Sequence, residues 1–137
     1  MRRRALLDTH AWLWWTVPGS NRLSNEALAW FTDLSAELFI SIVSLWEIAI
    51  KVSLNRLDVG VEGLDGLTTR LERSRVAILP VELRHTVAVG RLPGKGDPFD
   101  RMIATQSRLD GLPLITADRE MASLGAVGII WAGPTPA

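Results

Sequence analysis

The sequence predicts an α/β fold in which a mainly parallel sheet is covered by helices on both faces. Two observations carry that expectation. Short apolar runs of strand length alternate with stretches that carry helix-starting residues. Two aspartates, Asp8 and Asp118, directly follow or nearly follow apolar runs, at the carboxyl ends of strands where open α/β sheets bind their ligands.

Each element has its own signal. Ala5-Leu6-Leu7 is an apolar run ending in Asp8 and reads as a buried first strand. Residues 9–15 are apolar and helical, with Pro18-Gly19 as the stop. Ser24 caps a helix running to about Ser35, with Leu28 and Phe31 on its inner face. Leu38-Phe39-Ile40 forms the second strand, and Ser41 or Ser44 caps a helix reaching about Leu54. Residues 55–66 hold three glycines without periodicity and read as loop. A short charged helix over 67–73 precedes a third strand over 76–79, which Pro80 ends. Residues 81–89 read as helix and 91–96 as loop. Asp97 suits the N-cap and Pro98 the first helical position of a helix to about Leu109, closed by Gly111. A fourth strand over 114–116, a short helix over 118–124, a last strand over 128–131 and a tail from Gly133 complete the order.

Composition narrows the function classes. A chain of 137 residues with no repeat or linker fits a single domain, 1–137. At 47% hydrophobic and 22% charged residues it is globular rather than disordered. The formal net charge is zero, so a nucleic-acid site must arise from local clustering. Cysteine is absent, which excludes disulfides and thiolate-bound zinc. With only His10 and His85 as imidazoles, any metal should be a hard cation on oxygen ligands. No apolar run approaches the ~18–20 residues of a membrane span. The basic start, Met1-Arg2-Arg3-Arg4, is followed by Asp8 and His10 rather than an unbroken apolar segment. The expectation is a soluble cytoplasmic protein without a membrane association.

Four carboxylates are the candidate chemistry: Asp8, Glu47, Asp100 and Asp118. Converging carboxylates repel one another, and Mg²⁺ or Mn²⁺ is the usual remedy. Each also has a plain structural role open to it. Asp8, Asp100 and Asp118 could cap or stabilise helix starts, and Glu47 could pair with Lys51 one turn on. Asp97 is assigned mainly to capping, as an accessory to the site. Thr9 and Thr116 flank acids and could bond them, and Ser44 lies one turn before Glu47 and could orient it. Arg91, Lys95, Arg101 and Arg108 surround the Asp100 segment and are candidates for binding phosphates. His85 is expected exposed on its helix. Of the six tryptophans, Trp12, Trp14, Trp15 and Trp46 suit a core or a partner interface. Trp12, Trp14, Trp15 and Trp30 together suggest an apolar partner surface near the N-terminal helices. No Walker-type loop and no G-x-S-x-G elbow is present.

Four motifs in order, Leu6-Leu7-Asp8-Thr9-His10, Ser41-Ile42-Val43-Ser44-Leu45-Trp46-Glu47-Ile48, Asp97-Pro98-Phe99-Asp100-Arg101-Met102-Ile103-Ala104 and Leu114-Ile115-Thr116-Ala117-Asp118, resemble the PIN-domain ribonucleases. More narrowly they are similar to VapC-type toxins of bacterial toxin–antitoxin pairs. The resemblance implies a three-layer α/β/α sandwich and a Mg²⁺- or Mn²⁺-dependent endoribonuclease, often a homodimer, inhibited by a small antitoxin protein. It carries the acidic quartet onto Asp8, Glu47, Asp100 and Asp118, with Asp8 and Asp100 as the most direct metal ligands. A metal-activated water should then cut RNA to 5′-phosphate and 3′-hydroxyl ends. The rival expectations are a PIN-like module that holds RNA or protein without cutting, and a metal-dependent phosphatase on the same sheet edge.

Overall fold

The computed structural model describes residues 3–17 and 22–133. Five strands, β1 (Arg4–Leu7), β2 (Glu37–Ser41), β3 (Val76–Leu79), β4 (Leu114–Thr116) and β5 (Ile129–Trp131), pair in parallel in the order β3-β2-β1-β4-β5. The helices are α1 (Thr9–Thr16), α2 (Asn25–Thr32), α3 (Ile42–Ser53), α4 (Leu67–Ser74), α5 (Leu83–Gly90), α6 (Pro98–Asp110) and α7 (Arg119–Ala122).

Alternate residues of β1 divide the core. Ala5 and Leu7 face one layer with Trp12, Ala27, Phe31 and Ile48, while Leu6 faces the other with Ile103, Ala104 and Met121. Helices therefore cover both faces, and the sheet is the middle layer of an α/β/α sandwich. The chain leaves β1 in one direction, to β2 and β3, then returns to β4 on the other side. Strand order thus reverses between β1 and β4, which opens a crevice at their carboxyl ends.

Several element ends differ from expectation for local reasons. The helix after Ser24 stops at Thr32 rather than near Ser35, because Asp33 Oδ1 accepts hydrogen bonds from the Ser35 amide and hydroxyl and closes a turn. On that helix Ala27 and Phe31 face inward, while Leu28 is exposed. Ser41, not Ser44, caps α3, accepting from the Val43 amide at 3.1 Å. The expected loop 55–66 ends in a 3₁₀ turn, Gly63–Gly66. Helix α5 begins two residues late, and α7 and β5 are shorter than expected. The Pro18-Gly19 stop and most of the tail lie outside the described residues.

Arg3 and Arg4 of the basic N-terminal segment are spent on the fold. Arg3 pairs with Asp33 at 3.1 Å and lies 4.0 Å over the Trp30 ring, and Arg4 lies 5.1 Å over Phe39. Trp12 is wholly buried and donates its indole N–H to Ser74 Oγ at 3.1 Å, so it belongs to the core and not to a partner surface. Trp14, Trp15 and Trp30 are half-buried around the same core, Trp15 stacked on Phe31.

His85 is the largest departure, fully buried where exposure was expected. Its Nδ1 accepts the Glu82 amide proton at 2.9 Å. The proton of a neutral ring must then sit on Nε2, which faces the Asp110 carboxylate at 3.1 Å. The ring thus starts α5 and ties it to the end of α6.

Candidate active site

The four acids arrive from separate elements at the carboxyl edge of the sheet. Asp8 follows β1 and is held there by its own amide, which donates to the Ile115 carbonyl of β4 at 2.9 Å. It occupies the N-cap position of α1, yet its side chain makes no cap bond. Instead Asp8 Oδ2 accepts from Thr116 Oγ1 at 2.8 Å. The same Thr116 oxygen accepts the Asp118 amide at 3.0 Å, so one buried hydroxyl links the two strand-end aspartates.

Glu47 is buried within α3. Its Oε1 lies 2.9 Å from Thr9 Oγ1, which is also 2.8 Å from Ser44 Oγ. A carboxylate only accepts, so Thr9 donates to Glu47 and Ser44 donates to Thr9. Glu47 Oε2 pairs with Lys51 Nζ at 2.9 Å. The plain ion pair expected from the i,i+4 spacing is present, and so is the link to the residue after Asp8.

Asp97 and Asp100 have divided their work. Asp97 Oδ1 accepts from the amides of Phe99 and Asp100, at 2.8 and 3.1 Å. Asp100 is half-buried in the first turn of α6, and burial raises its carboxyl pKa to about 7, with the charges of Asp8, Asp97, Glu47 and Asp118 adding to the rise. Burial also pushes Asp8 above the usual carboxylate range, against the Thr116 bond and the pull of His10. Asp118 is exposed and accepts the Glu120 amide at 2.9 Å, capping α7. Asp97→Ser keeps a capping oxygen and should unfold within a few tenths of a kcal/mol of wild type, whereas Asp97→Ala should lose about 1 kcal/mol. Urea titrations of the two variants check this; equal losses would deny the cap its role.

The donor set suits a hard divalent cation, since every candidate ligand is an oxygen. Among the described residues no three acidic or histidine groups stand close enough to enclose an ion. Mg²⁺ does not require such a cage, being commonly held by one or two carboxylates with waters and substrate phosphate. Asp8, not engaged in capping, and Asp100, pressed by its neighbours' charge, are the two that fit it.

The basic candidates do not form one cluster. The Arg101 guanidinium reaches back to the carbonyls of Leu92, Pro93 and Lys95, so it pins the loop before α6 rather than presenting itself to phosphate. Arg108 sits two turns further along the helix, roughly 12 Å from Asp100 along its axis. Arg91 and Lys95 are exposed on the loop.

Two features beside the acids were not anticipated. Trp46 is 61% exposed and packs edge-on against Phe99, ring centres 5.3 Å apart, so it is not core. On the opposite flank a hollow of about 330 Å³ opens between Asp8, His10, Trp14, Ala117, Asp118 and Arg119. The i,i+4 spacing of His10 and Trp14 directly after Asp8 was a visible signal for it, since that spacing places both on one helix face.

The chain matches the PIN domain family over residues 5–127. It is 32% identical over 121 residues to Ribonuclease VapC22 of Mycobacterium tuberculosis, spanning 86% of this chain and 89% of that protein. Among solved structures it resembles FitAcB from Neisseria gonorrhoeae, with a TM-score of 0.68 and 20% identity over 93% of this chain and 96% of that one. VapBC2 from Rickettsia felis, bound to a promoter DNA fragment, gives a TM-score of 0.66 at 16% identity, covering 93% and 97% of the two chains. VapBC-5 from Mycobacterium tuberculosis gives 0.59 at 20% identity, covering 93% and 97%. At these identities the structural likenesses speak to the fold.

Proposed function

This chain belongs to the PIN-domain family, and from that premise we propose that it is the toxin ribonuclease of a toxin–antitoxin pair, cutting RNA within the strand at the crevice between β1 and β4. The observation that carries the site assignment is the crowding of charge at Asp100, whose carboxyl stands near pH 7 because it is part-buried among four other acids. Such a site invites a divalent cation and then a phosphodiester. One domain performs the whole task. Its partners are RNA, a small antitoxin and a second copy of itself, and it works in the cytoplasm. No helix among the described residues is long and apolar enough to cross a membrane.

Asp8 and Asp100 would hold Mg²⁺ or Mn²⁺, with Asp118 and Glu47 acting through water or completing a second site. A bound ion supplies positive charge to the phosphate and makes water a stronger nucleophile. Thr116 keeps the Asp8 carboxylate turned toward Asp118, and the Thr9–Ser44 pair keeps Glu47 from swinging away with Lys51. Water attacks phosphorus in line with the 3′ oxygen, the P–O3′ bond breaks, and the 3′ oxygen takes up a proton. The products carry 5′-phosphate and 3′-hydroxyl ends.

Purified protein should cut single-stranded RNA in Mn²⁺ or Mg²⁺ and stop on addition of EDTA. Expression without an antitoxin should arrest bacterial growth, and the Asp8→Asn form at equal protein level should not. Cleavage that persists in EDTA would remove the metal from the mechanism. Arrest by both forms alike would detach toxicity from the acids.

A further inference from the structure

We propose that the hollow walled by His10, Trp14, Ala117 and Arg119 seats one unpaired nucleobase beside the phosphate that is cut, with Trp14 stacking on the base and His10 as the specificity-determining residue. The inference rests on the ribonuclease assignment above and adds a base-reading subsite to it.

Position is the first support. Asp8 and Asp118 form one side of the hollow, so it is continuous with the acidic centre, and a strand crossing that centre must place a neighbouring nucleotide at or near it. Size is the second. Its volume of about 330 Å³ lies at the small end of ligand cavities, roughly 300–1,000 Å³, which admits a base rather than a run of chain.

The third support is the chemistry of the walls. Trp14 offers an indole, the side chain on which unpaired bases stack with little regard to sequence. That ring is held by close neighbours: Arg22 lies 5.7 Å from its centre, and a Cβ at Gly133 would stand only 3.4 Å from its Cζ3. His10, four residues earlier on the same face, is exposed. Its imidazole can donate one hydrogen bond and accept another, which suits the edge of a base. An apolar peptide side chain would leave the exposed imidazole facing hydrocarbon. A planar group with its own donors and acceptors pairs with it. An indole wall with one adjustable hydrogen-bonding neighbour predicts a preference among bases rather than simple tolerance of all four.

The test is cleavage of four single-stranded oligonucleotide sets, each randomised except for one base flanking the cut. It uses wild type, His10→Ala, Trp14→Phe and Trp14→Leu. Wild type should favour one base, by kcat/KM, by about tenfold, the discrimination that one hydrogen bond to a base edge supplies. His10→Ala should flatten that preference several-fold, Trp14→Leu should lower kcat/KM several-fold on all four sets, and Trp14→Phe should keep most of the rate. Far-ultraviolet dichroism confirms folding. His10 is exposed, so its variant keeps the test decisive if Trp14→Leu is unstable. Wild-type preference retained in His10→Ala, or an unchanged kcat/KM in Trp14→Leu, overturns the subsite while leaving the ribonuclease standing. So does an unchanged preference with lost antitoxin binding, which would make the hollow a protein seat. Failure of wild type to cut any set fells the ribonuclease assignment, and the subsite with it.

Discussion

Asp8→Asn and Asp100→Asn should each lower RNA cleavage by about a thousandfold or more while the protein stays folded. Asparagine keeps the shape of the side chain and removes the charge that holds a cation. Metal assistance is worth several kcal/mol at the transition state, and each 1.36 kcal/mol is tenfold in rate. Asp100 has a folded-state pKa near 7, raised from an ordinary 3.8. Between those values the folded chain holds a proton that the unfolded chain releases, so metal-free stability should fall as pH rises from about 4 to about 7. Above that window the penalty is complete. Asp100→Asn has no such proton, and its melting temperature should be flatter across the window and higher than wild type at pH 8. Asp8→Asn leaves Thr116 able to donate to an amide oxygen, so its fold should survive as well. Mg²⁺ should bind wild type more weakly below pH 7, because protons compete for Asp100. Calorimetric titration at pH 6 and pH 8 measures this. Affinity independent of pH would take Asp100 out of the ligand set.

His85→Ala should destabilise the protein by about 3 kcal/mol, far from the acids and with little direct effect on chemistry. The side chain is wholly buried and leaves a cavity when truncated. Its loss also strips a partner from the Glu82 amide and from the Asp110 carboxylate, each a buried or part-buried polar group. Asp110 also keeps Arg84 as an ion-pair partner, so Asp110→Asn should cost less than His85→Ala. Urea unfolding of the three proteins at pH 7 orders them. Stability of His85→Ala within about 0.5 kcal/mol of wild type, the range of ordinary surface changes, would mean that the α5–α6 junction does not depend on the ring.

Trp46 and His85 show why burial was read less well than element order. Both sit in helices that were read from the sequence. Trp46 lies in a nearly all-apolar stretch that suggests a core helix, yet α3 turns it outward against Phe99, a residue 53 positions later in sequence. His85 is polar in an exposed-looking helix, yet Asp110 arrives 25 residues later to accept its hydrogen bond. The face a helix buries depends on what docks against it, and that partner is remote in the chain.

The sequence by itself determined the alternation of strands and helices, the Ser24 and Asp97 caps, and the placing of Asp8 and Asp118 at strand ends. Those are local matters, governed by hydrophobic periodicity and by hydrogen bonds spanning two or three residues. Tertiary structure alone decided which of the strand-end acids is spent on a helix. Asp8 and Asp118 both precede helices and look alike in one dimension. Asp118 turns its carboxylate onto a backbone amide, while Asp8 turns to Thr116, 108 residues away. A cap and a cation ligand compete for the same lone pairs, and the winner is set by which donor the folded sheet brings within 3 Å. The hollow between His10 and Arg119 has the same origin: β1 and β4 are adjacent only because strand order reverses between them.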